Sequence, residues 1–407
     1  MHLTIAWRNI WRNGRRTSVI LAAIVIGVWS MILLGSISRG FVVNMVENSI
    51  STLTGHLQIH ARGYRTDPSI EKSMTEVEPV REALQRALPP EAQWSPRIRV
   101  NAVLQNARHS GGAVLVGIDP RREDAVSFIG PGAVQEGEYL EAGDDYGLLM
   151  GAALLESFET AVGRKVVVMS QDTDGEIASR AFRIRGVFRA ATEATEKQFV
   201  FVTLPAAREM LGLKRGLSEI AVLLSRNGHA GPAAESLRAR LAEERFSVAT
   251  WRDLLPVIDA YLDIFDGYMV LWYLIVFVAM GFGIVNTILM TVFERMREFG
   301  LLQALGQSPG AIARGVLTEA FFLLAIGLLA GNALGFLSVF AFSGGIDLSA
   351  FAEGMQYFGV PRVIYPSVQA RDVVTANVVV LTLGLLVSVY PAVKAARFSP
   401  VEAMAQT

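Results

Sequence analysis

His56 and His60 stand four apart in GHLQIH, the separation at which two imidazoles on a helix can share a zinc ion. Leu57 and Ile59 alternate with them and make the segment a strand, where positions four apart lie about 13 Å from each other. No third ligand is evident, so no zinc site is read here. Asp172, Asp174 and Gly175 in QDTDGEIASR have the opening of a calcium loop. The later acidic positions are missing, and the stretch reads as a turn between strands. Asp144 and Asp145 open a polar turn ahead of an expected helix and are read as its caps. The chain has no cysteine, which removes disulfides, thiol chemistry and the Cys-based metal patterns. Its serines and histidines form no recognised nucleophile motif. No GxxxxGK[ST] run occurs, so no Walker-type nucleotide site is expected. A net charge of −1 gives no footprint for nucleic acid. The expectation is a non-catalytic chain that binds no cofactor and no metal itself.

The residues of interest are instead mechanical. ERMREFGLLQALG at 294–306 is charged at its start and apolar at its end, and follows 27 residues without Asp, Glu, Lys or Arg. Phe293, Met296, Gly300, Leu301 and Ala304 recur near one face of a helix. Glu294 can meet Arg297 three residues on, and Arg295 can meet Glu298. Gly306, followed by Ser308, Pro309 and Gly310, ends the helix and reverses the chain. A short helix held crosswise between two membrane segments is either a handle for a partner or a plain surface connection.

Four segments without charged residues position this helix: Thr17–Ser38, Gly267–Phe293, Ala320–Ile346 and Val373–Val393. Each is long enough to cross a hydrocarbon layer of ~30 Å at ~1.5 Å per residue. In lipid a helix satisfies its own backbone, which favours four spans. Thr17–Ser38 exceeds a signal-peptide core in length, and Arg39 follows it, so retention is expected. Arg8, Arg12, Arg15 and Arg16 precede the first span; Arg295, Arg297 and Arg314 lie between the second and third; Lys394 and Arg397 follow the fourth. Positive flanks mark the cytoplasmic side, so both termini are expected inside and the insert 41–265 outside.

In LTIAWRNIWRNGRR, Leu3, Trp7, Ile10 and Trp11 share one helical face, and Arg8, Arg12 and Arg15 another. That pattern suits a helix in the headgroup layer, with guanidinium groups on lipid phosphates. Gly327, Gly331 and Gly335 form a stripe at intervals of four in the third span, open to packing within the bundle or to a dimer contact. Asn286, Thr287 and Asn332 are polar groups within spans, and Glu319 lies near a boundary where it can pair. The insert mixes elements. GHLQIH, GGAVLVGIDP, RKVVVMS, ASRAFRIRGVFRA, KQFVFVTL and SEIAVLL read as strands. VEPVREALQRAL, LLMGAALLESFETAVG, LPAAREMLG and AAESLRARLAEE read as helices. The fold class is an α-helical four-span membrane bundle with a large inserted α+β domain, expected in two subdomains, on a helical stalk. The stalk is formed by GFVVNMVENSISTL, which prolongs the first span, and WRDLLPVIDAYLDIFDG, where Pro256 kinks or starts the second helix.

AWRNIWRNGRRT, ERMREFGLLQALGQSPG and PAVKAARFSPVEAM, with one span, an outer domain and three spans in that order, resemble the FtsX-like/MacB-type ABC transporter permeases. GIDP and the later strands are similar to that family's periplasmic core domain. The resemblance implies a bacterial inner-membrane permease that works with a separate cytoplasmic ABC ATPase dimer, which carries ATP and Mg. It also implies a second permease copy or a homologous permease. Residues 294–305 would be the coupling helix, with Glu294, Arg297, Glu298, Gly300 and Gly306 at the motif positions and Leu301 and Ala304 on its apolar side. Trp7, Arg8, Trp11 and Arg12 would belong to the interfacial helix that braces the first span. The expected order is interfacial helix 1–16, first span and stalk 17–55, periplasmic α+β core 56–250, and stalk with second span 251–293. There follow coupling helix 294–310, third span 311–346, periplasmic loop 347–372, fourth span 373–393 and cytoplasmic tail 394–407. Length and the start at the interfacial helix resemble the Lol-type branch, which implies a lipoprotein substrate or periplasmic partner. The alternatives are an export permease for peptide, lipid or drug, and a non-transporting scaffold.

Overall fold

The computed structural model describes residues 2–12, 14–225, 229–347 and 363–397. The outer loop over 348–362 and the tail over 398–407 lie outside the described residues. The chain forms two compact units: a helical one from residues 2–43, 261–347 and 363–397, and a mixed one from 44–260.

In chain order, α1 (His2–Trp11) and α2 (Gly14–Ser49) come first, and a π-helical turn (Ile50–Thr54) follows α2. Then come β1 (Leu57–Ala61), α3 (Glu78–Ala87), β2 (Gln93–Gln105), β3 (Ser110–Ile118), α4 (Pro120–Glu123) and β4 (Val134–Gly137). Next are β5 (Gly147–Gly151), α5 (Ala152–Ser157), β6 (Lys165–Gln171), β7 (Ile177–Phe188), α6 (Glu193–Gln198) and β8 (Phe199–Thr203). α7 (Leu204–Met210), β9 (Glu219–Leu223), α8 (Ala230–Arg238), β10 (Phe246–Thr250) and α9 (Trp251–Leu254) complete the mixed region. The chain returns through α10 (Pro256–Glu294), α11 (Met296–Ala304), α12 (Pro309–Ala341), a two-residue ribbon of β11 (Ile346–Asp347) with β12 (Val363–Ile364), and α13 (Ala370–Ala396).

Among the described residues, four helices are long and apolar enough to cross a membrane: α2 with its π turn, α10, α12 and α13. Pro256 starts α10 rather than kinking it. A proline is harmless at a first helical position, where the missing N–H has no partner to lose. The third and fourth helices depart from the charge-free windows that announced them. α12 begins at Pro309 and stops at Ala341, and α13 extends beyond both ends of 373–393.

α2 is the central element of the helical unit. A Cβ on Gly327, Gly331 or Gly335 would stand 2.3, 2.6 or 2.8 Å from Ile24, Val28 and Ile32 respectively, so the glycine stripe of α12 seats the first span. The stripe is thus used inside the bundle, as close helix approach requires small residues. On another side α10 packs antiparallel: a Cβ at Gly27 would meet Met280 at 2.7 Å, and one at Gly35 the Tyr273 hydroxyl at 2.9 Å. α12 and α13 are joined by reciprocal amide bonds between Asn332 and Asn377, 2.7 and 3.1 Å long. Each amide also donates to the carbonyl four residues before it, which leaves little polar capacity unused.

In the mixed unit ten strands form one sheet, in the order β10-β1-β9-β2-β3-β8-β5-β7-β4, with β6 paired to β2 and β7. Strands and helices are both present, and the strands share one sheet. Two local readings are corrected. LLMGAALLESFETAVG is not one helix: its first part is the fully buried strand β5, and only Ala152–Ser157 is helical. A short apolar run buried on both faces has no period to separate strand from helix. Asp144 is therefore not a helix cap; its carboxylate pairs with Arg185 at 3.0 Å. β2, the longest strand, was not foreseen, because Pro96, Arg97 and Arg99 interrupt its alternation.

Arg97 is fully buried. Its guanidinium donates to Glu123 at 2.6 Å, to Glu219 at 3.1 Å and to the Leu53 carbonyl of the π turn. Burial works against both signs of charge here, and mutual attraction overrides it. Glu123 and Glu219 hold Arg97 above its ordinary value, and Arg99 together with Arg97 holds the Glu219 carboxyl below its own. The end of α2 is thereby fixed to the sheet, and Leu53 packs among Val116, Ile118 and Phe201. The other connection is secured by a capping box, Thr250 with Asp253, at the start of α9.

Two predictions follow from packing and charge. Gly331→Leu overpacks the α2 contact and lowers stability by about 1–3 kcal/mol. Thermal unfolding in detergent checks this against Gly315→Ala on the same helix, where the added methyl meets open space. Arg97→Met leaves two carboxylates buried without their cation and costs about 3–5 kcal/mol, measured by chemical denaturation of the full chain.

Candidate functional site

The segment expected to be a helix from 294 is not one helix. α10 runs through Glu294, Arg295 leaves the helical path (φ −96°, ψ 14°), and α11 begins at Met296. Its expected single apolar face is divided. Met296, Phe299 and Gly300 are buried against the bundle, while Glu294, Arg297, Glu298, Leu301, Ala304 and Gly306 are exposed. Leu301 stands one residue, about 100° around the helix, beyond Gly300 and so faces outward. Leu302 and Leu305 are exposed with it, Leu305 at 76%. Gly306 takes φ +90°, the left-handed conformation that ends a helix without a Cβ clash. The Gln307 N–H closes the end on the Leu302 carbonyl at 2.9 Å.

A chain of charges holds α11 in place. Arg295 donates to both oxygens of Glu319 on α12 at 2.9 Å and to Glu298 on α11 at 3.0 Å. Asn9 on α1 reaches the same Glu319 at 2.7 Å, and Arg12 reaches Glu298 at 2.6 Å. Arg16, in the first turn of α2, forms a two-bond pair with Glu294 at the last position of α10. Three guanidiniums thus meet three carboxylates, and five helices converge on them. Burial raises the Glu298 carboxyl, but the bonds and charges of Arg12 and Arg295 more than offset it and hold it below the usual range. Burial likewise works against Arg295, and Glu319 with Glu298 holds it above its ordinary value. The Gln303 amide adds a bond to the Ala396 carbonyl of α13, at 3.2 Å.

α1 lies along α12, with Trp7 edge-on to Phe322 at 5.8 Å and to Trp11 at 6.0 Å. Both tryptophans remain about half exposed. Arg8 and Arg15 are exposed. Arg12 departs from the expected lipid-facing role: its guanidinium is taken by Glu298. Glu294 likewise pairs with Arg16 on α2. The sequence reading singled out the residues of α11 but missed Asn9, Arg16 and Glu319 as their partners. The available signal was Glu319 itself, a carboxylate near the edge of an apolar span, which demands a partner.

No group of three or more His, Cys, Asp or Glu able to hold a metal occurs among the described residues. The Nδ1 of His56 accepts from the Leu224 N–H at 3.0 Å, and His60 stacks on Tyr64 at 5.3 Å. Burial holds His60 below its ordinary value.

The charge chain predicts an ordering of effects. Glu319→Ala leaves Arg295, whose side chain is 14% exposed, with Glu298 alone and Asn9 without its acceptor, and destabilises by about 2–4 kcal/mol. Arg12→Ala removes a half-exposed pair and costs about 1 kcal/mol or less. Thermal unfolding of the two variants checks the order.

Residues 17–240 match the family described as the MacB-like periplasmic core domain, and residues 270–400 the FtsX-like permease C-terminal family. The chain is 23% identical over 414 residues to the lipoprotein-releasing system transmembrane protein LolC of Xylella fastidiosa strain 9a5c, covering 97% of this chain and 95% of the relative. It is 27% identical over 427 residues to the pyoverdine export ATP-binding/permease protein PvdT of Pseudomonas syringae pv. tomato, covering 98% of this chain and 58% of the relative. The crystal structure of the periplasmic region of MacB from Actinobacillus actinomycetemcomitans aligns with 53% of this chain and 98% of its own, at 14% identity and a TM-score of 0.37. The chain belongs to the FtsX-like ABC transporter permeases that carry a MacB-like periplasmic core domain.

Proposed function

We propose that α11 is the coupling helix of this permease and that its exposed leucines dock on a separate cytoplasmic ABC ATPase, where ATP and Mg are bound. The observation that carries this reading is the combination of two features on one nine-residue helix. Leu301, Leu302 and Leu305 are turned away from their own chain, while Arg295 and Glu298 tie the same helix to α1 and α12. A helix with an apolar outer face and a charge-locked root passes a push to its neighbours rather than bending under it.

In this reading the α11 end of the bundle is cytoplasmic, in line with the arginines gathered there, and the mixed unit is periplasmic. Both termini are then inside the cell, in the inner membrane. α2 and α10 are each continuous for more than thirty residues, about 54 and 58 Å, well beyond a hydrocarbon core of ~30 Å. They serve as the stalk. Within the mixed unit the distal end of α2 is gripped by Arg97, and the lead into α10 is set by the Thr250–Asp253 box, so neither helix ends in a slack linker. Motion of α11 on ATP binding reaches the periplasmic unit through these two rods. A second permease copy or a homologous permease completes the transporter. Relatives that match over nearly the whole of both chains are named lipoprotein-releasing proteins, which supports a lipoprotein substrate taken from the membrane.

The test is purification of the tagged full chain from native membranes, with ATP hydrolysis assayed in the eluate. The pair Leu301→Glu and Leu305→Glu is expected to lower co-purifying ATPase activity at least tenfold, about 1.4 kcal/mol, without shifting the unfolding temperature. Unchanged ATPase recovery in that variant would remove α11 as the docking element.

A further inference from the structure

At the end of the bundle opposite α11, a second charge cluster joins three helices. Arg39 on α2 donates through Nε and Nη2 to the two oxygens of Asp372 on α13, both at 2.8 Å. Its Nη2 also reaches Asp266 on α10 at 2.8 Å. Asp266 takes a further bond from Arg371 at 2.8 Å, so two cations meet two carboxylates. The Arg39 side chain is 9% exposed, and its guanidinium lies 4.7 Å over the Phe265 ring. A guanidinium so enclosed is oriented by its fork, the Nε–Nη2 edge on Asp372 with Nη2 shared by Asp266, in a way that a lysine cannot copy.

The chain also straps α2 at this level. The Ser367 N–H bonds to the Ser36 carbonyl at 2.9 Å, and a Cβ on Gly40 would meet the Tyr365 carbonyl at 2.2 Å. Between the two ends, the contacts of α2 with α10 step along in antiparallel order. Arg16 meets Glu294, Gly27 meets Met280, Gly35 meets Tyr273, and Arg39 meets Asp266. Charge closes the ladder at both ends, and close packing fills the middle.

We propose that Arg39 is a positioning residue of the transport cycle, the distal rivet that makes α2 and α10 move as one rod rather than slide past each other. This rests on the reading of α2 and α10 as the stalk that carries motion from α11. Two antiparallel helices pinned only at the α11 end can shear, and a push entering there is dissipated as sliding. Pinned at both ends, they can only tilt or rotate together. The rivet also includes α13, which α11 touches through Gln303, so the same cluster keeps the fourth span in step.

The native chain has no cysteine, so paired cysteines introduce spin labels without background. In the full chain in lipid nanodiscs, labels at Leu34→Cys and Val270→Cys report the distal separation of α2 and α10. Labels at Ser18→Cys and Met290→Cys report the end near α11. The distal pair is expected to give one narrow distance peak. Arg39→Gln is expected to lose that peak while the pair near α11 keeps its own, and Asp266→Ala, which removes the α10 partner of Arg39 and leaves Asp372 in place, is expected to broaden it as well. An unchanged distal peak in Arg39→Gln overturns the proposal. So does broadening of both pairs together, which marks general loosening, and so does an unchanged distal peak in Asp266→Ala. No ATPase enters this measurement, so its outcome is separate from the co-purification test of α11.

Discussion

Arg295 stands where α10 has ended and α11 has not begun, and the geometry of the helical unit turns on its pairing with Glu319 and Glu298. A guanidinium that is mostly buried beside apolar spans has to be matched, because an isolated charge there is costly to desolvate. Two carboxylates on two helices match it, and both reach α1: Glu319 binds Asn9 on it, and Glu298 binds Arg12 just beyond its end. The direction of α11 follows. Held at its first turn by charge and along one side by Met296, Phe299 and Gly300, it is left with its leucines facing outward.

The same economy governs the spans. Hydrophobic attraction between helices is absent in lipid, so close packing and polar pairs must hold the bundle together. Glycines on α12 let α2 approach closely enough to fill the gap with Ile24, Val28 and Ile32. The Asn332–Asn377 pair fixes α13 against α12. α2, contacted on several sides, becomes the element that any rearrangement of the bundle must move. Stiffness along α2 and α10 comes from backbone hydrogen bonds, and stiffness between them from charges and glycine contacts at several levels, as the proposed transmission of motion requires.

In the mixed unit, the fully buried Arg97 plays a part like that of Arg295. It is placed by β2, faced by Glu219 from β9 and Glu123 from α4, and it reaches the Leu53 carbonyl of the α2 extension. One cation therefore ties a rod to a sheet. Its burial makes the joint stiff, since leaving any member unpaired is far costlier than leaving the whole cluster intact.

Much of this was legible in the chain itself. Stretches free of Asp, Glu, Lys and Arg announce spans because charge is excluded from hydrocarbon, and Gly306 marks the end of α11 because only glycine enters the left-handed region freely. The glycine stripe, the helix over 78–87 and most strands follow from periodicity, which is a local property. What tertiary structure alone decided is who pairs with whom. Glu294 chose Arg16 from 278 residues away over Arg297 three residues on, and Arg39 found Asp266 and Asp372 across three helices. β5 became a strand because both its faces were covered, and β2 formed despite Pro96 and two arginines because neighbouring strands and carboxylates received them. A sequence records the charge and size of each residue; the partners that neutralise the one and fill around the other come from parts of the chain far apart in number, and only folding brings them together.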